Sequence, residues 1–371
     1  MCRSLSHVAT ARLYRNLDLP YIESDPEWKW LEPLYDNKGL QFVRNIDIGY
    51  SDVVSEYGTF NICRPLERLL ASLRHDSLES VDHGMHGKLG HKQMSSLWRT
   101  QKRLKGIHFE IDSGAGSWTM EDLRNEGIRE IQSLRLVEEF SVRLGASTNL
   151  KEYAELHASM KLKQLQWVTL ELDQQSREHN NGMITYWNRH LDYDCFSRLL
   201  PTRLRSITLF MVALPKDKIV QLQNWVNLTD LRLYDCANVA PMLADLRSHK
   251  LTTFICRDQM VSPVESNASA ERLRAISSLL SRSKTLETLA VELHGLKNRD
   301  LKTIAFDQSL RCHKESLTSL TICRSLFRKF SEAVLDCTKL TEIALWVNRN
   351  RVVSTYEVRE SIHSNDKVER L

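Results

Sequence analysis

Glycine and proline are scarce in this sequence, which has 13 glycines and 8 prolines among 371 residues. These shares are roughly half of those in an average protein. Because Gly and Pro supply most of the positions at which helices and strands are interrupted, their scarcity predicts regular elements joined by short connections. Hydrophobic residues at 42% and charged residues at 26% argue against wholesale disorder.

Long apolar runs are also missing. The longest uninterrupted run extends from Leu209 to Leu214, whereas a membrane-spanning helix needs about 20 apolar residues. The residues that follow Met1 lack the apolar core of a secretory signal. The sequence therefore predicts a protein without membrane partners that is located in the cytoplasm or the nucleus.

Charge of one sign is not in large excess. Lys and Arg total 51, Asp and Glu total 47, and the formal net charge is +4. A dedicated nucleic-acid-binding protein gains much of its affinity from clustered cations that release counterions from the phosphates. The near-neutral balance favours a protein client over nucleic acid as the partner.

Paired cysteine motifs are absent as well. The eight cysteines are scattered along the chain and never form a CxxC pair. In a long chain without a secretory signal, this distribution is typical of reduced, buried thiols rather than of a disulfide framework. We therefore expect an intracellular protein with mostly buried cysteines.

The common catalytic signatures do not occur. The sequence contains neither a G-x-S-x-G elbow nor a G-x-G-x-x-G loop after a strand. The Gly87-Lys88 pair is not part of a P-loop, because Asp82 and Leu89 occupy the positions where that motif needs Gly and Ser or Thr. We expect no catalytic residue, no cofactor and no enzyme activity.

Histidine forms one cluster, in which His83, His86 and His91 follow Asp82. These side chains are of the types that bind zinc, but their spacing matches no standard zinc site and the Gly-rich segment would hold ligands poorly. The favoured interpretation is a solvated loop without a metal. The third-ranked functional hypothesis is a hydrolase that uses a metal at this loop.

A short apolar pattern, apolar-x-x-apolar-x-apolar, recurs along the chain. The copies that begin at Leu228 and Leu340 fit the leucine-rich-repeat template L-x-x-L-x-L-x-x-N/C at its fixed positions. Weaker copies, which keep only the apolar triplet, begin at Val43, Leu104, Val137, Leu165, Leu204, Leu251, Leu286 and Leu317. Internal repetition of this kind indicates a repeat architecture.

The alternation inside each copy predicts a strand. In the clearest copy, Leu231 and Leu233 are expected to point inward, while Asp230, Arg232 and Tyr234 point outward. Intervals between copies vary beyond the 20–29 residues of compact repeats, which requires inserted loops or longer helices. The predicted fold class is α/β, an irregular leucine-rich-repeat-like solenoid of helix–strand units with a curved parallel sheet.

The segments between the strands mostly predict helices. Residues 65–73 have Pro in the first turn and an apolar stripe, and residues 269–280 and 327–335 also carry such stripes. Thr119 and Asp122 have the spacing of a capping box, which marks a further helix start.

Polar stretches are expected to interrupt the repeats. Residues 84–90, 112–117 and 173–182 are polar or rich in Gly and predict loops. Asp192 and Asp194 lie in what we interpret as the polar start of a helix, where carboxylates favour the helix dipole.

The N-terminal residues form a helical stripe followed by a short alternating segment. Residues 2–5 are C-R-S-L, and Leu13 to Leu19 follow the pattern L-Y-R-x-L-x-L. This combination resembles the C-terminal end of the F-box in fungal F-box/leucine-rich-repeat proteins, where it directly precedes a leucine-rich solenoid. The resemblance covers about twenty residues and predicts a short helical F-box remnant over residues 1–20.

This resemblance implies a substrate receptor of a Skp/cullin/F-box-type ubiquitin ligase, in which the F-box binds a Skp-type adaptor and the solenoid binds the client. The earlier F-box segment, with its Leu-Pro start and first two helices, does not occur here. Two explanations remain open: a truncated gene model, or a ligase-independent scaffold without adaptor binding. The adaptor-facing residues that the resemblance implies are Leu5, Val8, Leu13 and Tyr14.

The predicted solenoid covers residues 21–350, and residues 351–371 are expected to form a charged tail or the remnant of a cap. In such a fold the outward positions of the strands form a preformed concave binding surface. Exposed Trp, Tyr and Arg are typical anchors of interfaces. The predicted partner-binding residues are His108, Glu110, Trp167, Glu171, Phe210, Arg232, Tyr234, Arg257 and Trp346.

Overall fold

The structure is a computed structural model, and it describes residues 10, 12–19, 32–48, 64–82, 91–112, 118–172, 175–178, 184–187, 189–200, 203–215, 225–258, 268–293, 296, 301, 304–346 and 353–357. By its internal contacts the chain divides into two compact units, Met1–Asp173 and Gln174–Leu371, here called unit 1 and unit 2. Each unit combines parallel strands with helices, which confirms the α/β class. A single solenoid over residues 21–350 stays a prediction.

Unit 1 contains two sets of parallel strands. Its described strands are β1 (Asn16–Leu19), β2 (Asn45–Ile48), β3 (Ser80–Asp82), β4 (Gly106–Ile111), β5 (Glu139–Leu144) and β6 (Trp167–Leu172). In the first set, β2 pairs in parallel with β1 and with β3. In the second set, β5 pairs in parallel with β4 and with β6. Parallel strands need a crossover between them, and helices supply it.

The helices of unit 1 alternate with these strands. They are α1 (Arg64–Ser72), α2 (His91–Thr100), α3 (residues 120–133) and α4 (Leu150–Met160). The predicted capping box is confirmed, since the Thr119 hydroxyl accepts from the Asp122 amide and the Asp122 carboxylate accepts from the Thr119 amide. Helix α3 contains a π-helical turn, Leu123–Gly127, which the capping box and the apolar stripe do not predict.

Unit 2 is built around a larger parallel sheet. Its described strands are β7 (Gln175–Glu178), β8 (Ile184–Trp187), β9 (Arg189–His190), β10 (Ser206–Phe210), β11 (Val212–Ala213), β12 (Asp230–Tyr234), β13 (Thr253–Arg257), β14 (Thr288–Glu292), β15 (Ser319–Cys323), β16 (Glu342–Trp346) and β17 (Val353–Glu357). Strands β10, β12, β13, β14, β15 and β16 pair in parallel in chain order. Strand β17 then pairs antiparallel with β16.

The helices of unit 2 form a layer in chain order. They are α5 (Tyr193–Leu199), α6 (Val239–Asp245), α7 (Ala268–Arg282), α8 (Phe306–Arg311) and α9 (Arg324–Leu335). Helices α6 to α9 pack consecutively, each against the next. Asp192 caps α5 by accepting a hydrogen bond of 2.7 Å from the Cys195 amide, as its position at a helix start predicts.

All ten copies of the apolar pattern coincide with strands. In each copy the strand begins two residues after the first apolar residue, so that Leu228 precedes β12 and Leu340 precedes β16. The inward residues Leu231 and Leu233 are buried, and Tyr234 is half-buried. The prediction of strands with one inward apolar face is therefore confirmed.

A row of hydroxyls holds successive copies together at the residue after the first leucine. The Thr252 hydroxyl donates to the Thr229 carbonyl at 3.1 Å, and the Thr229 hydroxyl donates to the Arg205 carbonyl at 3.0 Å. Thr318 and Thr341 repeat this contact towards the carbonyls of Glu287 and Thr318. These side-chain bonds fix the starts of β12, β13, β15 and β16 against the preceding copy.

The loop prediction for residues 173–182 is wrong in part. Residues 175–178 form strand β7, which pairs antiparallel with β8. The composition of residues 175–178 hid this pairing, because a polar segment shows no apolar alternation that would indicate a strand. Residues 84–90 and 113–117, predicted as loops, lie outside the described residues.

The described part of the chain contains six cysteines, and all six are free thiols. Four of them are buried, namely Cys195, Cys236, Cys256 and Cys337. None of the helices in the described ranges combines the length and the apolar character needed to cross a bilayer.

Candidate functional site

The outward residues at the C-terminal ends of four neighbouring strands of unit 2, β10, β12, β13 and β14, form one row. Strand register places Phe210 beside Tyr234, Tyr234 beside Arg257, and Arg257 beside Glu292. We call these four residues the C-terminal row. Each is the seventh residue of its repeat copy, so the row follows directly from the repetition in the sequence.

Two aromatic rings begin the C-terminal row. The rings of Phe210 and Tyr234 are stacked, with centroids 4.5 Å apart and an angle of 8° between their planes. Both side chains are half-buried, so part of the stack remains accessible on the face of the sheet. A rigid aromatic pair of this kind offers contact area that costs little side-chain entropy to order.

An ion pair continues the row. The Nε of Arg257 lies 3.2 Å from Oε1 of Glu292, and Glu292 is almost completely buried. Burial raises the pKa of Glu292, and the nearby Arg257 opposes this shift only in part. Neither carboxylate oxygen of Glu292 accepts a hydrogen bond of good geometry, so Arg257 is the group that compensates its charge.

Two further rows of outward residues extend from β10 to β16. The outermost set, here the N-terminal row, comprises Ser206, Asp230, Thr253, Thr288, Ser319 and Glu342. Between the two rows lies the middle row, which comprises Thr208, Arg232, Ile255, Ala290, Thr321 and Ala344.

Arg232 is the one long cation of the middle row, and it is held against its own strand. Its Nε and one terminal nitrogen donate to the two carboxylate oxygens of Asp230 at 2.9 Å and 2.7 Å. The hydrogen bond to Asp230 is the main reason that the pKa of Arg232 is raised. A bidentate pair of this geometry neutralises both charges locally.

Unit 1 carries a charged row at the corresponding position of its copies. Register aligns Glu110, Arg143 and Glu171 on β4, β5 and β6. The Nε of Arg143 lies 3.7 Å from Glu110 and 3.6 Å from Glu171, and Glu171 is buried. Two carboxylates therefore share one guanidinium on this face.

A second group in unit 1 includes the exposed indole of Trp167. Trp167 is 37% exposed and pairs in register with Glu139, whose carboxylate lies 4.0 Å from Nε2 of His108. The outward faces of β4 to β6 thus bring together four predicted residues, His108, Glu110, Trp167 and Glu171, with the additional carboxylate of Glu139.

The predicted partner-binding residues therefore fall into two groups, one in each unit. Four of them lie in unit 1, and four lie on one face of unit 2, namely Phe210, Arg232, Tyr234 and Arg257. Trp346 ends strand β16 opposite Cys323, but its side chain lies outside the described part of the structure. Arg143 and Glu292 were missed. Counting to the seventh residue of the copies at Val137 and Leu286 identifies both.

The predicted adaptor-facing residues Leu13 and Tyr14 differ in their exposure to solvent. Leu13 is 78% exposed, whereas Tyr14 is half-buried and its hydroxyl accepts a hydrogen bond of 3.0 Å from the Asn37 side chain. The predicted adaptor-facing residues Leu5 and Val8 lie outside the described residues.

The histidine cluster is described only at its end. His91 packs edge-to-face against Trp118, with ring centroids 5.7 Å apart, while His83 and His86 are not among the described residues. Within the part of the chain that the structure covers, no three His, Cys, Asp or Glu side chains are arranged to hold a metal ion.

The chain was compared with known proteins. No protein family matches it, and no curated protein has a sequence that matches it.

Proposed function

We propose that this chain is a non-catalytic protein-recognition module with a leucine-rich-repeat-like architecture, which binds a protein client on the outward faces of its parallel strands. The observation that supports this proposal is the coincidence of all ten apolar triplets with strands. Stacked repeats of this kind present a row of outward side chains at fixed spacing, which suits recognition of an extended surface.

Its role in the cell is then that of a substrate receptor for a Skp/cullin/F-box-type ubiquitin ligase. This part of the proposal rests on the N-terminal resemblance to the end of an F-box. The high exposure of Leu13 supports it, because an adaptor-binding residue must be accessible to its partner.

The test is retention of a recombinant Skp-type adaptor by the purified chain, and by a version that includes the residues encoded upstream of Met1. We expect one of the two to retain the adaptor, and Leu13→Asp to abolish retention. Val226→Asp is the matched control, since Val226 is also an exposed apolar residue but lies in unit 2. If neither version retains the adaptor, the ligase assignment is wrong.

A ligase-independent scaffold is the second candidate. The half-buried Tyr14 favours it, because its hydroxyl is bound to Asn37 and its ring packs closely over Gly39. A residue engaged in this way serves the fold rather than an adaptor. If the chain is such a scaffold, we expect that neither version retains the adaptor and that a client still binds to the strand faces.

A further inference from the structure

His313 is a completely buried histidine in unit 2. It lies directly after helix α8, in the turn formed by residues 312–316. Its Nε2 lies 2.9 Å from the carbonyl oxygen of Leu280, in the last turn of helix α7. The side chain of His313 therefore connects the turn after α8 to the C-terminal end of the preceding helix.

The surroundings of the ring determine where its proton lies. A carbonyl oxygen only accepts hydrogen bonds, so Nε2 carries the proton of the neutral ring and Nδ1 is left as an acceptor. Nδ1 is buried, and no group in the described part of the chain forms a hydrogen bond with it. A second proton on Nδ1 would therefore bury a donor and a positive charge without an acceptor.

Two effects on the charge of this ring oppose each other. The carbonyl groups at the C-terminal end of a helix favour a cation, whereas burial favours the neutral ring. Burial has the larger effect here. It lowers the pKa of His313 below its ordinary value of 6.5, and the hydrogen bond to the Leu280 carbonyl raises the pKa only in part.

The titratable groups on the elements around the ring do not offset the effect of burial. They are Arg282 and Lys284 at the end of α7, Glu287 before β14, Arg311 and Cys312 at the end of α8, Lys314 and Glu315 in the turn, and Asp336 and Cys337 after α9. The Arg282 guanidinium donates to carbonyls of helix α6, and Arg311 donates to the Asp336 carboxylate. Among the described residues, no charged side chain contributes to the pKa shift of His313.

Other contacts between α7 and α8 are made by groups that do not titrate. The Ser309 hydroxyl of α8 lies 2.7 Å from the Ser277 hydroxyl and 2.9 Å from the Ser281 hydroxyl of α7. The pH does not change these contacts, so protonation of His313 acts on the turn rather than on the whole helix pair. Within the turn, the His313 carbonyl accepts a hydrogen bond of 2.9 Å from the Leu317 amide.

We propose that His313 is a pH-sensitive switch in the helix layer of unit 2. While the ring is neutral, the turn 312–316 is held against the C-terminal end of α7. Protonation of Nδ1 places an uncompensated charge in the buried site, and the turn separates from α7 so that the ring reaches water. This inference is independent of the proposed function, since it involves neither the adaptor nor the client.

The direction of the pH dependence follows from proton linkage. The ring has its ordinary pKa of 6.5 when the turn is open and a lower pKa when the turn is closed, so the open state binds more protons below pH 6.5. The closed turn is therefore fully stable above this pH and loses stability as the pH falls towards the lower pKa. Each pH unit in this range increases the equilibrium constant for opening by up to about tenfold.

Hydrogen exchange of the full chain, detected by mass spectrometry, measures this opening. His313→Gln is the informative variant, because its side-chain amide can still donate to the Leu280 carbonyl but does not titrate. At about pH 7.5 we expect both chains to exchange the amides of the turn and of Leu317 at similar rates. At about pH 5 the native chain should exchange them at least about threefold faster than the variant.

His249→Gln is the matched control, since it removes an exposed histidine of the same unit. This variant should keep the faster exchange of the turn at acidic pH. The proposal is overturned if His313→Gln exchanges the turn as fast as the native chain at acidic pH. It is also overturned if the faster exchange extends equally over all helices of unit 2, because the opening would then not be local.

A second measurement does not require the variant to fold. The His313 ring of the native chain, with isotope-labelled histidine, can be followed by NMR while the pH is lowered. We expect the Nε2–H tautomer at neutral pH and a titration midpoint below the ordinary value of 6.5. An Nδ1–H tautomer, or a midpoint at or above the ordinary value, overturns the proposal.

Discussion

Arg257 on strand β13 pairs with Glu292 on the neighbouring strand β14, at 3.2 Å between Nε and Oε1. The pair is asymmetric, because Glu292 is almost fully buried while Arg257 keeps part of its side chain in solvent. A buried carboxylate next to a partly hydrated cation makes this pair sensitive to both mutation and pH.

Removal of the cation should therefore be costly. Arg257→Met leaves the Glu292 carboxylate buried without its counterion, and we expect a loss of about 3–5 kcal/mol in the free energy of unfolding. The matched control is Arg257→Met with Glu292→Leu, which removes both charges and should be much closer to the native chain. Urea unfolding at neutral pH measures the difference. Equal losses in the single and double variants would contradict the prediction.

The pH dependence of Glu292 has a definite sign. Burial raises its pKa in the folded chain above the usual value of 4.5, so the unfolded chain loses its proton first as the pH rises. As the pH rises from below 4.5 to neutral, the free energy of unfolding of the native chain should therefore fall relative to that of Glu292→Gln. Urea unfolding of both chains across this range measures the change. A stability difference that is constant or moves in the opposite direction would show that the pKa is not raised.

The stack of Phe210 on Tyr234 should contribute a measurable coupling energy. Parallel rings at this distance contribute about 0.5–1.5 kcal/mol beyond the area that they bury. A double-mutant cycle with Phe210→Leu, Tyr234→Leu and the combined variant isolates this coupling. Additive losses in the cycle would mean that the rings act independently.

The hydroxyl row between the copies can be tested at Thr252. Its hydroxyl donates to the Thr229 carbonyl at 3.1 Å. Thr252→Val keeps the shape but removes the donor, and we expect a loss of about 1 kcal/mol. Thr252→Ser retains the hydroxyl and serves as the control. Thermal unfolding should rank the valine variant below the serine variant, and the reverse order would exclude a role for the hydrogen bond.

Gly39 should not tolerate a side chain. A Cβ at this position would lie 2.7 Å from ring atoms of Tyr14, closer than real Cβ contacts. Gly39→Ala must displace the ring, so we expect a loss of about 1–3 kcal/mol in the free energy of unfolding. Tyr14→Ala removes the ring and relieves the clash. Adding Gly39→Ala to Tyr14→Ala should therefore lower the free energy of unfolding by little more. Full additivity of the two losses would mean that the residues do not contact each other.

Much of the local structure was predictable because its causes are local. The spacing from Thr119 to Asp122 predicts a helix start, and both reciprocal hydrogen bonds are formed. Asp192 likewise caps its helix. Caps depend on residues two or three positions apart, so the sequence contains all the partners involved.

Other features depend on contacts between residues that the local pattern does not pair. The π-helical turn Leu123–Gly127 lies where a Cβ at Gly127 would come within 2.9 Å of the Trp118 indole. The pairing of β7 with β8 was missed because polar residues in a hairpin carry no apolar alternation. In each case the deciding contact is made by a neighbour that the local pattern does not specify.

The sequence alone determined where the strands of the copies lie and which of their residues point outward, since a strand alternates its side chains with a period of two. It thereby placed Tyr234 and Arg257 on an outward face. Only the tertiary structure decided that Tyr234 stacks on Phe210 and that Arg257 compensates a buried Glu292. Those contacts depend on the register between strands, and register is set when the apolar faces of successive copies pack together.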